Sequence, residues 1–212
     1  MSPSRPRFDV ALLAGLALAV ATLLFFAWLA WEVMEGDTRQ FDFAVRSAVH
    51  SHASVPLTWA MRGITLLGST AVLLPAGALL VAAWVRRGRK RAALLFGITM
   101  AGALLLDMVL KIVFHRPRPV PFFGLAAPLS YSFPSGHALV SCCFYTALVA
   151  LAAPHPRRAA WLGAGVLVGA IGLSRIYLGV HYPSDVLAGY AAAVVWVLAV
   201  RSVYRVRRPP SP

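Results

Sequence analysis

The sequence predicts an all-α membrane protein, built as a bundle of six transmembrane helices. Of its 212 residues, 59% are hydrophobic and 13% are charged, which is too apolar for a soluble domain of this length. The apolar residues form six runs, each close to the roughly 20 residues that cross a bilayer. Basic clusters lie beside these runs at alternate connections, the pattern that sets the orientation of membrane proteins.

The first run is expected to be an uncleaved helix rather than a secretory signal. Arg5 and Arg7 precede it, but it ends in two tryptophans and Glu32 instead of a small-residue cleavage site. The six runs are Val10–Trp31, Ile64–Trp84, Ala92–Phe114, His137–Ala153, Ala159–Leu178 and Val186–Tyr204. The predicted divisions of the chain are a cytoplasmic tail at 1–9, a six-span domain at 10–204 and a basic, proline-rich cytoplasmic tail at 205–212.

The basic clusters all fall on one side of the membrane if the six runs all cross it. They precede the first run, join the second to the third and the fourth to the fifth, and follow the sixth. The positive-inside rule makes that side the cytoplasm, in a plasma or inner membrane. The net charge of +13 is thus explained without a nucleic-acid partner. The extracytoplasmic side then receives residues 32–63, 115–136 and 179–185.

Ionisable residues near the end of the third run indicate a possible site. Asp107 and Lys111 lie four residues apart, on one face of a helix. Charged groups are costly in a membrane and suggest a function, although an ion pair with a snorkelling lysine is the simpler alternative. Arg116 and Arg118 follow, each before a proline that keeps the chain extended and stiff. Their planar guanidinium groups suit phosphate oxygens.

A second segment, Pro134-Ser135-Gly136-His137, ends a polar loop and opens the fourth run. Glycine lets the backbone approach a ligand closely, and a helix start offers free N–H groups and a positive dipole end. The segment therefore favours an anion, and His137 can exchange a proton there near neutral pH. Taken alone, such a segment is more often a plain helix cap.

A third segment closes the fifth run with Ser174 and Arg175 and continues to His181 and Asp185. Asp185 can be a first-turn carboxylate favoured by the helix dipole. It can also accept the Nδ1–H of His181, which would leave a free lone pair on Nε2. The sequence permits both.

Together the three segments bring several cations, two histidines and a Ser-Gly helix start to one membrane face. Such a density of cations requires an anion, and two histidines provide a nucleophile or base and an acid. No cluster of Asp, Glu, Cys or His has metal-ligand spacing, so no metal is predicted and the cations take the place of Mg²⁺. Phosphoryl transfer is the chemistry that fits.

The three segments resemble the signature of the type-2 phosphatidic acid phosphatase family, membrane lipid phosphatases related to vanadium haloperoxidases. The family's motifs are Lys, six residues, Arg-Pro; Pro-Ser-Gly-His; and Ser-Arg, five residues, His, three residues, Asp. Here they are Lys111…Arg118-Pro119, Pro134-Ser135-Gly136-His137 and Ser174-Arg175…His181…Asp185. All three are complete and in order.

The resemblance implies a role for each matched residue. His181 would be the nucleophile that forms a phosphohistidine, with Asp185 orienting it. His137 would be the general acid for the leaving group and then the base that activates water. No cofactor or metal is implied, and His115 and Arg116 match variable positions, so they are expected to be rim or supporting residues. The implied phosphate-binding residues are Lys111, Arg118, Ser135, Gly136 and Arg175.

The resemblance also implies a substrate class: lipid phosphates or diphosphates, reached from the surrounding membrane at an extracytoplasmic active site. Undecaprenyl diphosphate, phosphatidic acid and phosphatidylglycerol phosphate are the expected candidates, and the extra charge of Arg116 slightly favours a diphosphate. The alternative is a non-enzymatic membrane protein that binds or transports anions or lipid phosphates. Transport would require polar residues through the membrane, and the first, fourth and sixth runs have almost none.

Overall fold

The computed structural model describes residues 10–126, 128–152 and 157–206, and this part of the chain is all-helical, as predicted. The predicted tail at 1–9 and residues 207–212 of the other tail lie outside the described residues. The helices are α1 (Val10–Glu35), α2 (Arg39–His50), α3 (Val55–Leu66), α4 (Thr70–Arg86), α5 (Lys90–Phe114), α6 (Gly136–Ala152), α7 (Arg158–Tyr177) and α8 (Pro183–Val206).

Four helices, α1, α5, α7 and α8, are long and apolar enough to cross a membrane. Helices α3 and α4 meet the same test only as a pair, and they are bent by 43° at the break between them. Helix α6 is apolar but has only 17 residues. Length and composition therefore support a multi-pass membrane protein with four spans, or five if the bent pair is one span.

The segment between the first two predicted spans is more ordered than the sequence indicated. It forms α2 and α3, two helices of 12 residues each. Helix α3 begins after Ser54, whose side chain accepts a hydrogen bond from the N–H of Leu57. The predicted second run began at Ile64, but Ile64 belongs to α3 and the next helix begins only at Thr70. The break includes Gly68 and Ser69, and this polar interruption is too short to divide an apolar run.

Helix α6 lies at the centre of the bundle. It packs against α4, α5, α7 and α8. It is apolar on all sides, as expected of a helix that is enclosed by others, and its buried residues are Ala138, Leu139, Val140, Ser141, Cys143, Phe144 and Ala147. Helix α1 instead packs on α8 and leaves large apolar side chains such as Leu24 and Trp31 exposed, as expected for a lipid-facing helix.

The order of the helices brings the three predicted segments to one end of this bundle. The ends of α5 and α7 and the starts of α6 and α8 lie together there. The backbone N–H of Ser135 donates to the carbonyl oxygen of Asp185 at 2.9 Å, which joins the start of α6 to the start of α8. Gly189 permits this approach, because a Cβ at that position would lie 2.6 Å from the carbonyl oxygen of Ser135.

Candidate active site

His181 is buried, and both of its ring nitrogens have a hydrogen-bond partner. It is 1% exposed and lies in the connection between α7 and α8. Its Nδ1 lies 3.3 Å from Oδ2 of Asp185, and its Nε2 lies 2.9 Å from a guanidinium nitrogen of Arg118. Because arginine can only donate, Nε2 must be the acceptor, and the ring proton is therefore on Nδ1, facing Asp185.

Burial lowers the pKa of His181 to about 4, because loss of hydration outweighs the attraction of Asp185 for the proton. The imidazole is therefore neutral at pH 7, with its lone pair on Nε2. These are the two properties that a nucleophilic histidine requires. Of the two alternatives for Asp185, the structure shows the hydrogen-bond acceptor of His181, at a position that is also the first turn of α8.

The guanidinium group of Arg118 is held in place by hydrogen bonds to two backbone carbonyl oxygens and a serine hydroxyl. Its Nε donates to the carbonyl oxygen of Ser130 at 2.6 Å, and its Nη1 to the carbonyl oxygen of Val180 at 2.8 Å. Its Nη2 donates to Oγ of Ser130 at 3.0 Å. Burial lowers the pKa of Arg118 from 12.5, but arginine stays a cation at neutral pH. A guanidinium held in this way loses little conformational freedom when it binds an anion.

Two of the motif residues have a buried polar atom without a hydrogen-bond partner: Ser135, just before α6, at Oγ, and Arg175, in the last turn of α7, at Nε. Nη1 of Arg175 donates to Oγ1 of Thr65 at 2.7 Å, which leaves Nε for another acceptor. Buried polar groups are nearly always satisfied, so unpartnered donors at a candidate site call for a ligand. A phosphate oxygen would satisfy either of them.

Lys111 and Asp107 form the predicted ion pair, with Nζ 2.7 Å from Oδ2. The pair lies against the start of α6: a Cβ on Gly136 would be 2.9 Å from Nζ of Lys111 and 2.7 Å from Oδ1 of Asp107. That Oδ1 is buried and has no partner. The lysine is thus held beside the helix start that was predicted to bind an anion, so pairing and function are compatible.

His137 follows Gly136 and is half-buried. It lies within electrostatic range of His181 and of the cations Lys111, Arg118 and Arg175. The structure therefore brings together every residue that the sequence singled out for the site. Within the described residues, no group of three or more His, Cys, Asp or Glu side chains is placed to hold a metal ion.

Arg116 takes the supporting role of the two that were expected, but its charge is not free for a diphosphate. It was expected to be a rim or supporting residue with charge available to a diphosphate, but its side chain is only 11% exposed. Its Nη1 lies 2.6 Å from Oδ1 of Asp185, and its Nη2 lies 2.7 Å from Oδ2 of Asp42. Both sides of the guanidinium are therefore occupied by carboxylates. His115, by contrast, is exposed and packs edge-on against Tyr131.

Asp42 was missed in the sequence. It lies in a polar stretch that contains several acids, and only its burial distinguishes it from Glu35 and Asp37, which are exposed. A weak signal existed in its context: α2 is amphipathic, and Asp42 and Thr38 both lie on its buried side.

Comparison with known proteins agrees with this geometry. The sequence profile of the PAP2 superfamily matches residues 92–209, more than half of the chain and all three motif segments. The chain belongs to the PAP2 superfamily. This confirms the resemblance and the prediction of a phosphatase, since the family hydrolyses phosphate esters without a metal.

Relatives and a solved structure extend the match beyond the motifs. Phosphatidylglycerophosphatase B of Bacillus subtilis is 31% identical over 188 residues, 86% of this chain and 92% of that protein. An undecaprenyl-diphosphatase of Sulfolobus acidocaldarius is 29% identical over 155 residues, 71% of this chain and 72% of its own. The crystal structure of a transmembrane PAP2-type phosphatidylglycerolphosphate phosphatase from Bacillus subtilis superposes with a TM-score of 0.83 at 30% identity, covering 91% of this chain and 98% of that one.

Proposed function

We propose that this protein is an integral membrane lipid phosphatase that acts through a phosphohistidine on His181. The observation that carries the proposal is the state of this side chain: neutral, with Nδ1–H toward Asp185 and the Nε2 lone pair facing Arg118. An incoming phosphate would take over the hydrogen bond from Arg118, which places the phosphorus beside the lone pair. Membership of an enzyme family favours this proposal over a non-enzymatic binder or transporter.

In the first step, Nε2 of His181 forms the N–P bond as the P–O bond to the lipid breaks. His137 gives its proton to the departing lipid oxygen, so no alkoxide is released. In the second step, His137 takes a proton from water, the water oxygen attacks phosphorus, and the N–P bond breaks to release inorganic phosphate.

The charge that spreads over the phosphate oxygens in both steps is stabilised by fixed donors. We assign these to Lys111, Arg118 and Arg175, with the hydroxyl of Ser135 and the backbone N–H of Gly136. Asp185 keeps the His181 proton on Nδ1 and stabilises the positive charge that the ring gains, without taking the proton itself.

We propose phosphatidylglycerol phosphate, a phosphomonoester, as the first substrate to test. Two observations support it over a diphosphate: the extent of the match to phosphatidylglycerophosphatase B, and the engagement of Arg116 by two carboxylates. Phosphate release from a panel that also contains phosphatidic acid and undecaprenyl diphosphate, with purified protein and a chelator present, tests this choice. A preference for undecaprenyl diphosphate would refute it.

The mechanism is tested with His181→Ala, and His115→Ala serves as a matched control because that histidine is exposed. We expect His181→Ala to lose nearly all activity and His115→Ala to keep it. Wild-type protein quenched in alkali during turnover should carry phosphate on His181, since phosphohistidine is labile in acid and stable in base. Full activity of His181→Ala would refute the nucleophile assignment.

We further propose six spans, with both termini in the cytoplasm and the active site on the extracytoplasmic side. The alternating basic clusters support this topology. Single cysteines placed at Leu125 and at Gly88, in a background without Cys142 and Cys143, test it by labelling of intact cells. A membrane-impermeant thiol reagent should label position 125 and not position 88. The reverse pattern would place the site in the cytoplasm.

A further inference from the structure

A buried carboxylate outside the three motifs, that of Asp42, is linked through Arg116 to Asp185, the partner of His181. Asp42 of α2 is 1% exposed. Its Oδ1 accepts the backbone N–H of Ser184 at 2.9 Å, and its Oδ2 accepts the Ser184 hydroxyl at 2.7 Å and Nη2 of Arg116 at 2.7 Å. Asp42 therefore binds both the start of α8 and Arg116.

Arg116 connects this carboxylate to Asp185. While Nη2 donates to Asp42, Nη1 donates to Oδ1 of Asp185 at 2.6 Å, and the guanidinium lies 4.1 Å from the ring centre of Tyr182. One cation is thus shared by two buried carboxylates. The other oxygen of Asp185, Oδ2, accepts the N–H of Tyr182 at 2.9 Å and faces Nδ1 of His181.

The sharing of this cation has a chemical consequence. When Nε2 forms its bond to phosphorus, the imidazole ring becomes a cation, and Asp185 must stabilise it. Arg116 paired with Asp185 alone would cancel the negative charge of that carboxylate. Asp42 restores it, because the three groups together carry one net negative charge.

We propose that Asp42 is a positioning residue for phosphoryl transfer that acts through Arg116. It holds the guanidinium so that Oδ1 of Asp185 is occupied and Oδ2 faces His181, and it keeps the group behind the histidine negative. This inference rests on the proposed role of His181. It assigns a function to α2, which lies outside the 92–209 region that the family profile matches.

The competing explanation is that Asp42 only stabilises the start of α8 through Ser184. A double-mutant cycle measured in both kcat and melting temperature separates the two. Asp42 and Arg116 are coupled structurally through the Ser184 hydroxyl in either case, whereas coupling in kcat is expected only if Asp42 acts through Arg116. The variants are Asp42→Asn, Arg116→Gln and the pair, with Asp37→Asn as the control, since Asp37 is an exposed carboxylate one residue before Thr38. Asparagine keeps an oxygen for the Ser184 N–H and removes the charge.

We expect Asp42→Asn to lower kcat about tenfold to hundredfold, the scale of a displaced catalytic group, while KM and inhibition by vanadate stay the same. Asp37→Asn should match the wild type. In the Arg116→Gln background, Asp42→Asn should lower kcat little further. A kcat for Asp42→Asn equal to that of Asp37→Asn, a change confined to KM, or additive losses in the double variant would overturn the inference.

If Asp42→Asn does not yield folded protein, Arg116→Lys replaces it. A single ammonium group cannot reach both carboxylates as the fork of arginine does, so kcat should again fall. A wild-type kcat for Arg116→Lys would then overturn the inference. These outcomes are distinct from failure of the mechanism itself, which would appear as an active His181→Ala variant or as phosphate trapped on another residue.

Discussion

A single methyl group on Gly136 should reduce catalysis without reducing stability. In Gly136→Ala, the new Cβ would lie 2.7 Å from Oδ1 of Asp107 and 2.9 Å from Nζ of Lys111, whereas ordinary contacts begin near 3.4 Å. The ion pair must therefore move by about 0.7 Å. Since misplacement of a catalytic group by about 1 Å can cost 10²-fold in rate, we expect kcat to fall tenfold to hundredfold.

The free energy of unfolding should stay the same or rise, although kcat falls. Gly136 is the first residue of α6, and alanine restricts the unfolded chain, which is worth about 0.4–1 kcal/mol where the backbone tolerates it. The atoms that must yield are the ends of flexible side chains. Phosphate release and thermal unfolding are measured in parallel, with Gly97→Ala as the control, because a Cβ on Gly97 would meet nothing within 4 Å. If Gly136→Ala is as active as Gly97→Ala, Lys111 does not act from this position.

Two further predictions concern a hydroxyl and a proton. Ser135→Ala should lower kcat about tenfold or more and leave the melting temperature unchanged or higher, because the hydroxyl is buried without a partner in the ligand-free protein; a marked loss of melting temperature would contradict this. Burial lowers the pKa of His181 to about 4 in the folded protein, whereas its pKa in an unfolded chain is about 6.5. The unfolded state therefore holds more protons between these values, so stability should fall by about 3 kcal/mol as the pH drops through this window. His181→Gln should show a shallower decline in thermal unfolding between pH 7 and 4, and equal slopes would refute the depressed pKa.

The sequence could indicate which candidate site residues lie together because each lies at or near a helix end that composition marks clearly. An apolar run stops or begins there, and a proline, glycine or serine lies within a few residues, as at Lys111, Ser135 and Arg175. Charge alternation then predicts that those ends lie on one side of the membrane. Both signals are local in the chain, so they do not depend on knowledge of the packing.

The support behind the site was not predictable in the same way. Arg116 and Arg118 each precede a proline in almost identical sequence surroundings. Arg118 nevertheless faces His181, whereas Arg116 is held by Asp42 and Asp185. The difference arises from α2, which approaches from far along the chain. Nothing near Arg116 in the sequence indicates that approach. Nor does hydropathy show that α3 ends before Gly68, where a Cβ would lie 2.4 Å from the side chain of Ile171.

The short length of α6 affects the depth in the membrane at which a lipid headgroup would reach the candidate site. With 17 residues, α6 is about 25 Å long, less than the roughly 30 Å thickness of bilayer hydrocarbon, while the adjacent α5 has 25 residues. The start of α6, where we propose that the phosphate binds, lies beside Lys111, in the last turn of α5. We expect a lipid substrate to bring its headgroup to this level while its tails stay in the membrane. We therefore expect bilayer thickness to affect turnover alongside headgroup chemistry.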